Sequence, residues 1–159
     1  MTKVLLTGAF GNMGPNAVAA ILEKGHQLRC FDRETESTRR KAKRFEGRAE
    51  IVWGDLGSDS DVAAAVDGCE VVIHVGFALP PFTERYPDKA RDINVGGTQR
   101  ILNAMKASSS SSKIVFLSTS SVFKLDPGNL SPRTPSDPVE ATDNYSSHKL
   151  ECEQMVRGS

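Results

Sequence analysis

Four groups of residues in this 159-residue chain have the types and spacing that chemistry needs. The first is T-G-A-F-G-N-M-G at residues 7–14, directly behind Val4, Leu5 and Leu6, with Gly8, Gly11 and Gly14 at intervals of three. Glycine costs backbone entropy, so three this close mark a main chain that must turn tightly or lie against something. Between a strand and a helix, such a turn brings backbone N–H groups and the positive helix end against a pyrophosphate. Gly8 would permit the tight turn, Gly11 the close approach of phosphate, and Gly14 close packing of helix on sheet. The spacing differs from G-x-G-x-x-G, so the run needs its context to carry meaning.

Asp32 supplies that context. It stands 21 positions after Gly11, at the end of a second apolar run. That is near the ~20-residue offset of a carboxylate that accepts hydrogen bonds from an adenosine ribose. A carboxylate there repels a 2′-phosphate, so it favours NAD over NADP. Arg33, next along the chain, opposes this preference, because a guanidinium grips phosphate. The following R-R-K-A-K-R, residues 39–44, reads as a solvated helix face that could assist Arg33.

Tyr145 and Lys149 form the third group, four apart in Y-S-S-H-K and therefore on one face of a helix. An ammonium beside a phenol favours the phenolate, which makes a general base for a substrate hydroxyl as hydride leaves its carbon. The fourth group is the hydroxyl cluster Ser118, Thr119, Ser120 and Ser121 behind the apolar 114–117.

The elements that must position these groups alternate along the chain. Strands are expected at 4–6, 27–31, 51–53, 71–75 and 114–117. Helices are expected at 15–24, 34–45, 59–66, 88–107 and 145–156. Such alternation predicts βαβ units and an α/β fold with a doubly wound parallel sheet. The serine run 108–112 reads as a surface loop. Residues 126–144, rich in Pro, Ser, Gly and Asn, read as a long irregular segment of the kind that often forms a lid or binding loop.

Composition removes several classes of function. Twenty basic and twenty acidic side chains balance, which argues against a nucleic-acid or anionic-membrane binder. No apolar stretch approaches the ~20 residues of a membrane span, and the N-terminus lacks a signal peptide's segments. Cys30, Cys69 and Cys152 are scattered and odd in number, which fits reduced thiols and a cytoplasmic location. His26, His74 and His148 form no ligand pattern with them, so no metal site is expected, and His74 reads as a core histidine. Trp53 reads as core or as a wall of an adenine pocket.

Taken in chain order, the four groups resemble the short-chain dehydrogenase/reductase superfamily. T-G-x-x-G-x-x-G is similar to its extended branch, which includes nucleotide-sugar epimerases and dehydratases. G-D-L at 54–56, V-I-H at 72–74 and N-V-G-G-T at 94–98 support the resemblance, which covers essentially all of residues 1–159. It implies a Rossmann fold, NAD as cofactor, a small-molecule substrate such as a nucleotide sugar, and a homodimer. Tyr145 would be the acid/base, and Lys149 would hold the nicotinamide ribose and tune Tyr145. Thr119, four before Phe123, would orient the substrate oxygen, with Ser118 and Ser120 as neighbouring alternatives. Asn12 and Met13 would meet the pyrophosphate, and Asp55 and Leu56 would flank adenine. Val75, Gly76 and Phe77 would line the cofactor, with Asn94 beneath it.

Two departures touch the substrate side. Val122-Phe123-Lys124 replaces the family's V-Y-G, and Val75-Gly76-Phe77 stands where small residues, often alanines, are usual. Phe77 brings bulk to that place. Extended members are about twice this length, so the chain is expected to represent the cofactor half, truncated after the fifth strand and catalytic helix, with strand five as an exposed edge. An NAD-dependent oxidoreductase or nucleotide-sugar epimerase/dehydratase is the leading expectation. The competing one is a non-catalytic NAD(P)-binding sensor or interaction module, which would not need Thr119, Tyr145 and Lys149 in order. Sugar nucleotides, sterols and small alcohols or ketones are all compatible substrates.

Overall fold

A computed structural model describes residues 1–110, 113–124 and 132–159. Five strands form one parallel sheet: β1 (Lys3–Thr7), β2 (Gln27–Asp32), β3 (Glu50–Trp53), β4 (Val71–His74) and β5 (Lys113–Phe116), in the order β3-β2-β1-β4-β5. The central strand explains the arrangement. Val4 and Leu6 point to one face, where Val18, Ile21, Leu28, Cys30 and Phe45 pack. Leu5 points to the other face, among Phe31, Val62, Val66, Val72 and Ile101. Strands buried on both faces need helices on both sides, which is the doubly wound Rossmann architecture expected from the alternation.

Helices α1 (Gly14–Glu23) and α2 (Glu36–Ala42) follow β1 and β2, and α3 (Asp59–Val66) follows β3. Beyond β4 come α4 (Phe82–Arg85), α5 (Pro87–Arg91) and α6 (Gly97–Ala107), and α7 (Asn144–Arg157) closes the chain. The chain passes from β1 to β2 on one side and later to β4 on the other. The resulting crevice lies at the C-terminal ends of β1 and β4, where doubly wound sheets bind ligands.

Three expectations need correction. The single helix expected over 88–107 is two helices joined by a π-helical segment, Asp92–Gly96, a wider turn that is common at functional sites. The charged helix begins later than residue 34, because Thr35 caps it reciprocally with Thr38, and it ends in a 3₁₀ turn, Lys43–Phe45. Helix α4 was not anticipated, being too short to show periodicity.

The expected serine loop has residues 111 and 112 outside the described residues, as are 126–131 of the expected irregular segment. Its described remainder carries one antiparallel bridge, Val139 to Phe123. Among the described residues β5 is one edge of the sheet, β3 being the other, and Val115 on β5 is 54% exposed. All three cysteines are buried thiols. Among the described residues, no helix is long and apolar enough to cross a membrane, and no three His, Cys, Asp or Glu side chains converge as a metal site.

Candidate cofactor and catalytic site

The glycine turn works through backbone crowding. Gly8 has φ 66°, and a Cβ there would stand 2.6 Å from the Gly76 Cα. Glycine at position 8 lets the turn after β1 lie against the segment after β4, where a Cβ on Gly76 would itself be tight, 3.1 Å from the Gly8 nitrogen. Gly14 packs against the turn itself rather than against the sheet, since its Cβ would stand 2.3 Å from the Gly8 carbonyl oxygen. Gly8 also donates its N–H to the Phe31 carbonyl at 2.9 Å. Met13 caps α1 without a side-chain hydrogen bond, and Pro in the first turn has no N–H to satisfy.

Asp32 closes this end of the crevice. Its Oδ2 accepts the Phe10 N–H at 2.7 Å and its Oδ1 accepts the Arg33 N–H at 2.8 Å. Burial pushes its carboxyl above the usual range, against those two hydrogen bonds and the nearby Lys41 and Arg33 charges. Lys41 departs from the solvated face expected of the basic run. Its Nζ donates to the Phe10 carbonyl at 2.9 Å and the Gly11 carbonyl at 3.3 Å, clamping the glycine turn from outside. Arg39 pairs with Glu34, and Arg44 lies over the Phe45 ring.

Below the crevice a buried polar chain ties four elements together. The Thr7 hydroxyl accepts the Val75 and Gly76 N–H groups at 3.2 and 3.1 Å, which leaves its own proton for His74 Nδ1 at 2.7 Å. His74 therefore carries its proton on Nε2 and donates it to Thr98 Oγ1 at 3.1 Å, a tautomer assigned from the network. Thr98 in turn donates to the Asn94 carbonyl at 2.6 Å. Burial, with the Lys149 charge adding to it, lowers the His74 pKa to about 3, so the ring is neutral. It is the satisfied core histidine expected from the sequence.

Asn94 is fully buried and holds the loop that lines the crevice. Its Oδ1 accepts the Ala78 N–H at 2.6 Å and its Nδ2 donates to the Ala78 carbonyl at 3.1 Å. The site that this scaffold shapes is a cleft of about 590 Å³. Gly8, Gly11, Asn12, Met13, Asp32 and Arg33 line one end, with Asp55 and Leu56 beside them. Val75, Gly76 and Phe77 follow, and Tyr145 and Lys149 stand at the other end.

Gly14 and Asn94 are not in the lining but brace it, and Trp53 packs on Phe10 at 5.5 Å between ring centroids. Thr119 is also outside the lining. Its hydroxyl caps the 3₁₀ turn Ser120–Val122 by accepting the Ser121 N–H at 3.2 Å. Ser118 does line the cleft, and its hydroxyl donates to the Glu153 carboxylate.

The structure adds lining residues that sequence reasoning missed. Ala78, Leu79, Phe82 and Ile93 make an apolar wall beside Tyr145. The run F-A-L-P-P-F at residues 77–82 was the available signal, an apolar stretch placed just after a strand end.

Lys149 is only 2% exposed. Its ammonium donates to the Leu117 carbonyl at 2.6 Å and lies 3.6 Å from the Phe77 ring centroid and 4.6 Å from that of Phe116. The Tyr145 ring centroid is 5.9 Å from the same Nζ. Burial lowers the Lys149 pKa to about 8.

A 3-2-1-4-5 sheet with a glycine turn at its switch point and an acid after β2 defines a dinucleotide-binding Rossmann domain. The family model described as the NAD dependent epimerase/dehydratase family matches residues 4–159, and the chain belongs to that family, which includes NAD-dependent dehydrogenases and epimerases. It is 34% identical over 108 residues to a 3 beta-hydroxysteroid dehydrogenase/Delta 5-->4-isomerase of Mycobacterium tuberculosis, covering 64% of this chain and 28% of that protein. It is 27% identical over 160 residues to a sterol-4-alpha-carboxylate 3-dehydrogenase, decarboxylating, of Dictyostelium discoideum, covering 98% of this chain and 48% of that one. Among solved structures, a short-chain dehydrogenase/reductase superfamily protein from Agrobacterium tumefaciens with bound NAD superposes with a TM-score of 0.80 at 30% identity. That match covers 98% of this chain and 44% of the other, so the chain spans about half or less of the length of these relatives.

Proposed function

We propose that this cleft binds NAD and serves hydride exchange with a secondary alcohol or ketone, Tyr145 moving the hydroxyl proton. The observation that carries the reading is one continuous cleft with Gly8, Gly11 and Asp32 at one end and Tyr145 and Lys149 at the other. The residues present suit the cofactor. A backbone cradle made of glycine leaves room for phosphate, and the Asp32 carboxylate can turn its acceptors to ribose hydroxyls. NAD, when bound, supplies the acceptor or donor of hydride.

This chain's own side chains do the rest. The Tyr145 Oη takes the alcohol proton as the carbinol C–H bond breaks, and returns it in the reverse direction. Lys149 is the residue that would hold the nicotinamide ribose. Thr119 would orient the substrate oxygen, and Ser118, already in the lining, is the neighbour able to take that part. The wall of Leu79, Phe82 and Ile93 supports an apolar, sterol-like alcohol over a nucleotide sugar, because a sugar nucleotide would leave that wall unmatched.

The test is a paired titration of the 159-residue chain with NADH and NADPH, followed by nicotinamide fluorescence. Saturable binding that prefers NADH is expected. Preference for NADPH would mean that Arg33 and Lys41 outweigh Asp32, and binding of neither would overturn the reading.

A further inference from the structure

Phe77 follows β4 by three residues and lines the cleft together with Tyr145 and Lys149. Its ring centroid is 3.6 Å from Lys149 Nζ, a distance that admits no atom between them. Phe116 faces the same ammonium at 4.6 Å, and the Leu117 carbonyl takes one of its protons at 2.6 Å. Tyr145 abuts the other edge of Phe77 in a T-shaped contact, 5.9 Å between centroids. Ammonium and phenol are thus both packed on a single phenylalanine ring.

We propose that Phe77 is a gate on the catalytic end of the cleft, its ring a removable cover that must swing off Lys149 before a ribose diol can reach Nζ. This inference rests on the dinucleotide reading of the cleft for what passes the gate, and on the packing alone for the cover. Hydrogen bonds hold the backbone on both sides of Phe77. Gly76 is pinned by its N–H to the Thr7 hydroxyl, and Ala78 is pinned at both its N–H and its carbonyl by Asn94. With both neighbours held, the motion is a side-chain rotation of Phe77 into the roughly 590 Å³ of open cleft that it lines.

The attraction that holds the gate shut is that of a desolvated cation for a ring face, stronger here than at a wetted surface. Opening it exchanges that contact for hydrogen bonds to hydroxyls. A smaller residue at position 77 removes the exchange, so ligands that need Lys149 should bind it more tightly. The Lys149 pKa of about 8 belongs to the buried amine; uncovering it restores water around the ammonium and lets the pKa rise, so faster labelling reads access to Nζ.

The experiment is competitive acylation of the 159-residue chain with limiting acetic anhydride at pH 8, each lysine read by peptide mass spectrometry against exposed Lys24. In the wild type, Lys149 should be among the slowest lysines to react. Phe77→Ala should raise its relative rate at least about fivefold, and Phe77→Leu, which keeps apolar bulk without a π face, should raise it less. Native circular dichroism of Phe77→Leu guards against a folding failure of the alanine variant. Unchanged Lys149 labelling in both variants overturns the gate, whatever they bind.

A parallel NADH titration separates the two readings. Phe77→Ala should bind roughly tenfold more tightly than wild type. Faster labelling with tighter NADH binding supports both. Faster labelling with NADH binding in neither protein supports the cover and sinks the dinucleotide reading. Faster labelling with equal or weaker NADH binding overturns the gate and leaves Phe77 a static wall.

Discussion

The Thr7 hydroxyl and the His74 imidazole meet at 2.7 Å and lock together the C-terminal ends of β1 and β4. Two walls of the cleft start from that joint. The glycine turn leaves β1 one residue later, and Val75, Gly76 and Phe77 leave β4 immediately after His74. Through Thr98 and the Asn94 carbonyl the same chain reaches the π segment, whose Asn94 side chain fixes the loop that Phe77 belongs to.

Acid should loosen this joint. The His74 pKa is lowered from about 6.5 to about 3 in the folded protein, so the unfolded chain binds the extra proton first. The stability that neutral His74 carries is fully present above pH 6.5 and is lost as pH falls toward 3. The slope from this residue approaches about 1.4 kcal/mol per pH unit inside that window. Burial lowers the His148 pKa too, and it adds in the same direction. Urea denaturation at pH 7, 5.5 and 4 should show the loss, and His74→Gln should flatten it. An equal slope in the variant would contradict the assignment.

Glycine substitutions should separate crowding from conformation. Gly25 has φ 75° with nothing within 4 Å of a Cβ, so Gly25→Ala should cost about 1–2 kcal/mol from backbone strain alone. Gly8→Ala adds a 2.6 Å clash with Gly76 to the same kind of strain and should cost at least about 2 kcal/mol more. Thermal unfolding of the two variants against wild type reads the difference, and equal losses would refute the close-approach role of Gly8.

Asp32→Ala should weaken NADH binding roughly tenfold or more, as expected for loss of hydrogen bonds to a charged acceptor. NADPH binding should fall less, because Arg33 and Lys41 remain. The Phe10 N–H loses its acceptor in the same variant, so amide exchange of residues 8–11 should quicken without any ligand.

Tyr145→Phe, made in a form of the protein that turns substrate over, should lower kcat at least about a hundredfold by removing the proton-carrying group. NADH affinity should stay near wild type, since Tyr145 lines the cleft without holding the glycine turn. A kcat within a few fold of wild type would exclude Tyr145 as the acid/base.

Part of this candidate site is legible in the sequence, because its signals are local. Strand ends and glycine spacing share one short stretch, so Gly8, Gly11 and Asp32 could be placed by counting from β1 to β2. Tyr145 and Lys149 share a helix face through the geometry of a single turn. The reading of His74 as a core histidine also follows from its place at the end of an apolar strand; its neutrality comes from the burial that the fold imposes.

Other features depend on which elements lie side by side, and no local signal carries that. Lys41 looked like one cation in a solvated run until α2 packed it over the glycine turn. The family resemblance points to Thr119, four before Phe123, yet the 3₁₀ turn uses its hydroxyl as a cap and leaves Ser118 in the lining. The helix expected over 88–107 hid the π segment, because the inward side chains of Asn94 and Thr98 find their partners only across the fold.

By itself the sequence determined the architecture, the glycine turn with Asp32 behind it and the shared helix face of Tyr145 and Lys149, since periodicity and spacing act over a few residues. Only the tertiary structure decided that Phe77 lies on the Lys149 ammonium and that Asn94 holds the loop. Those contacts join residues far apart in the chain, and their geometry follows from the packing of β4, β5, the π segment and α7 against one another.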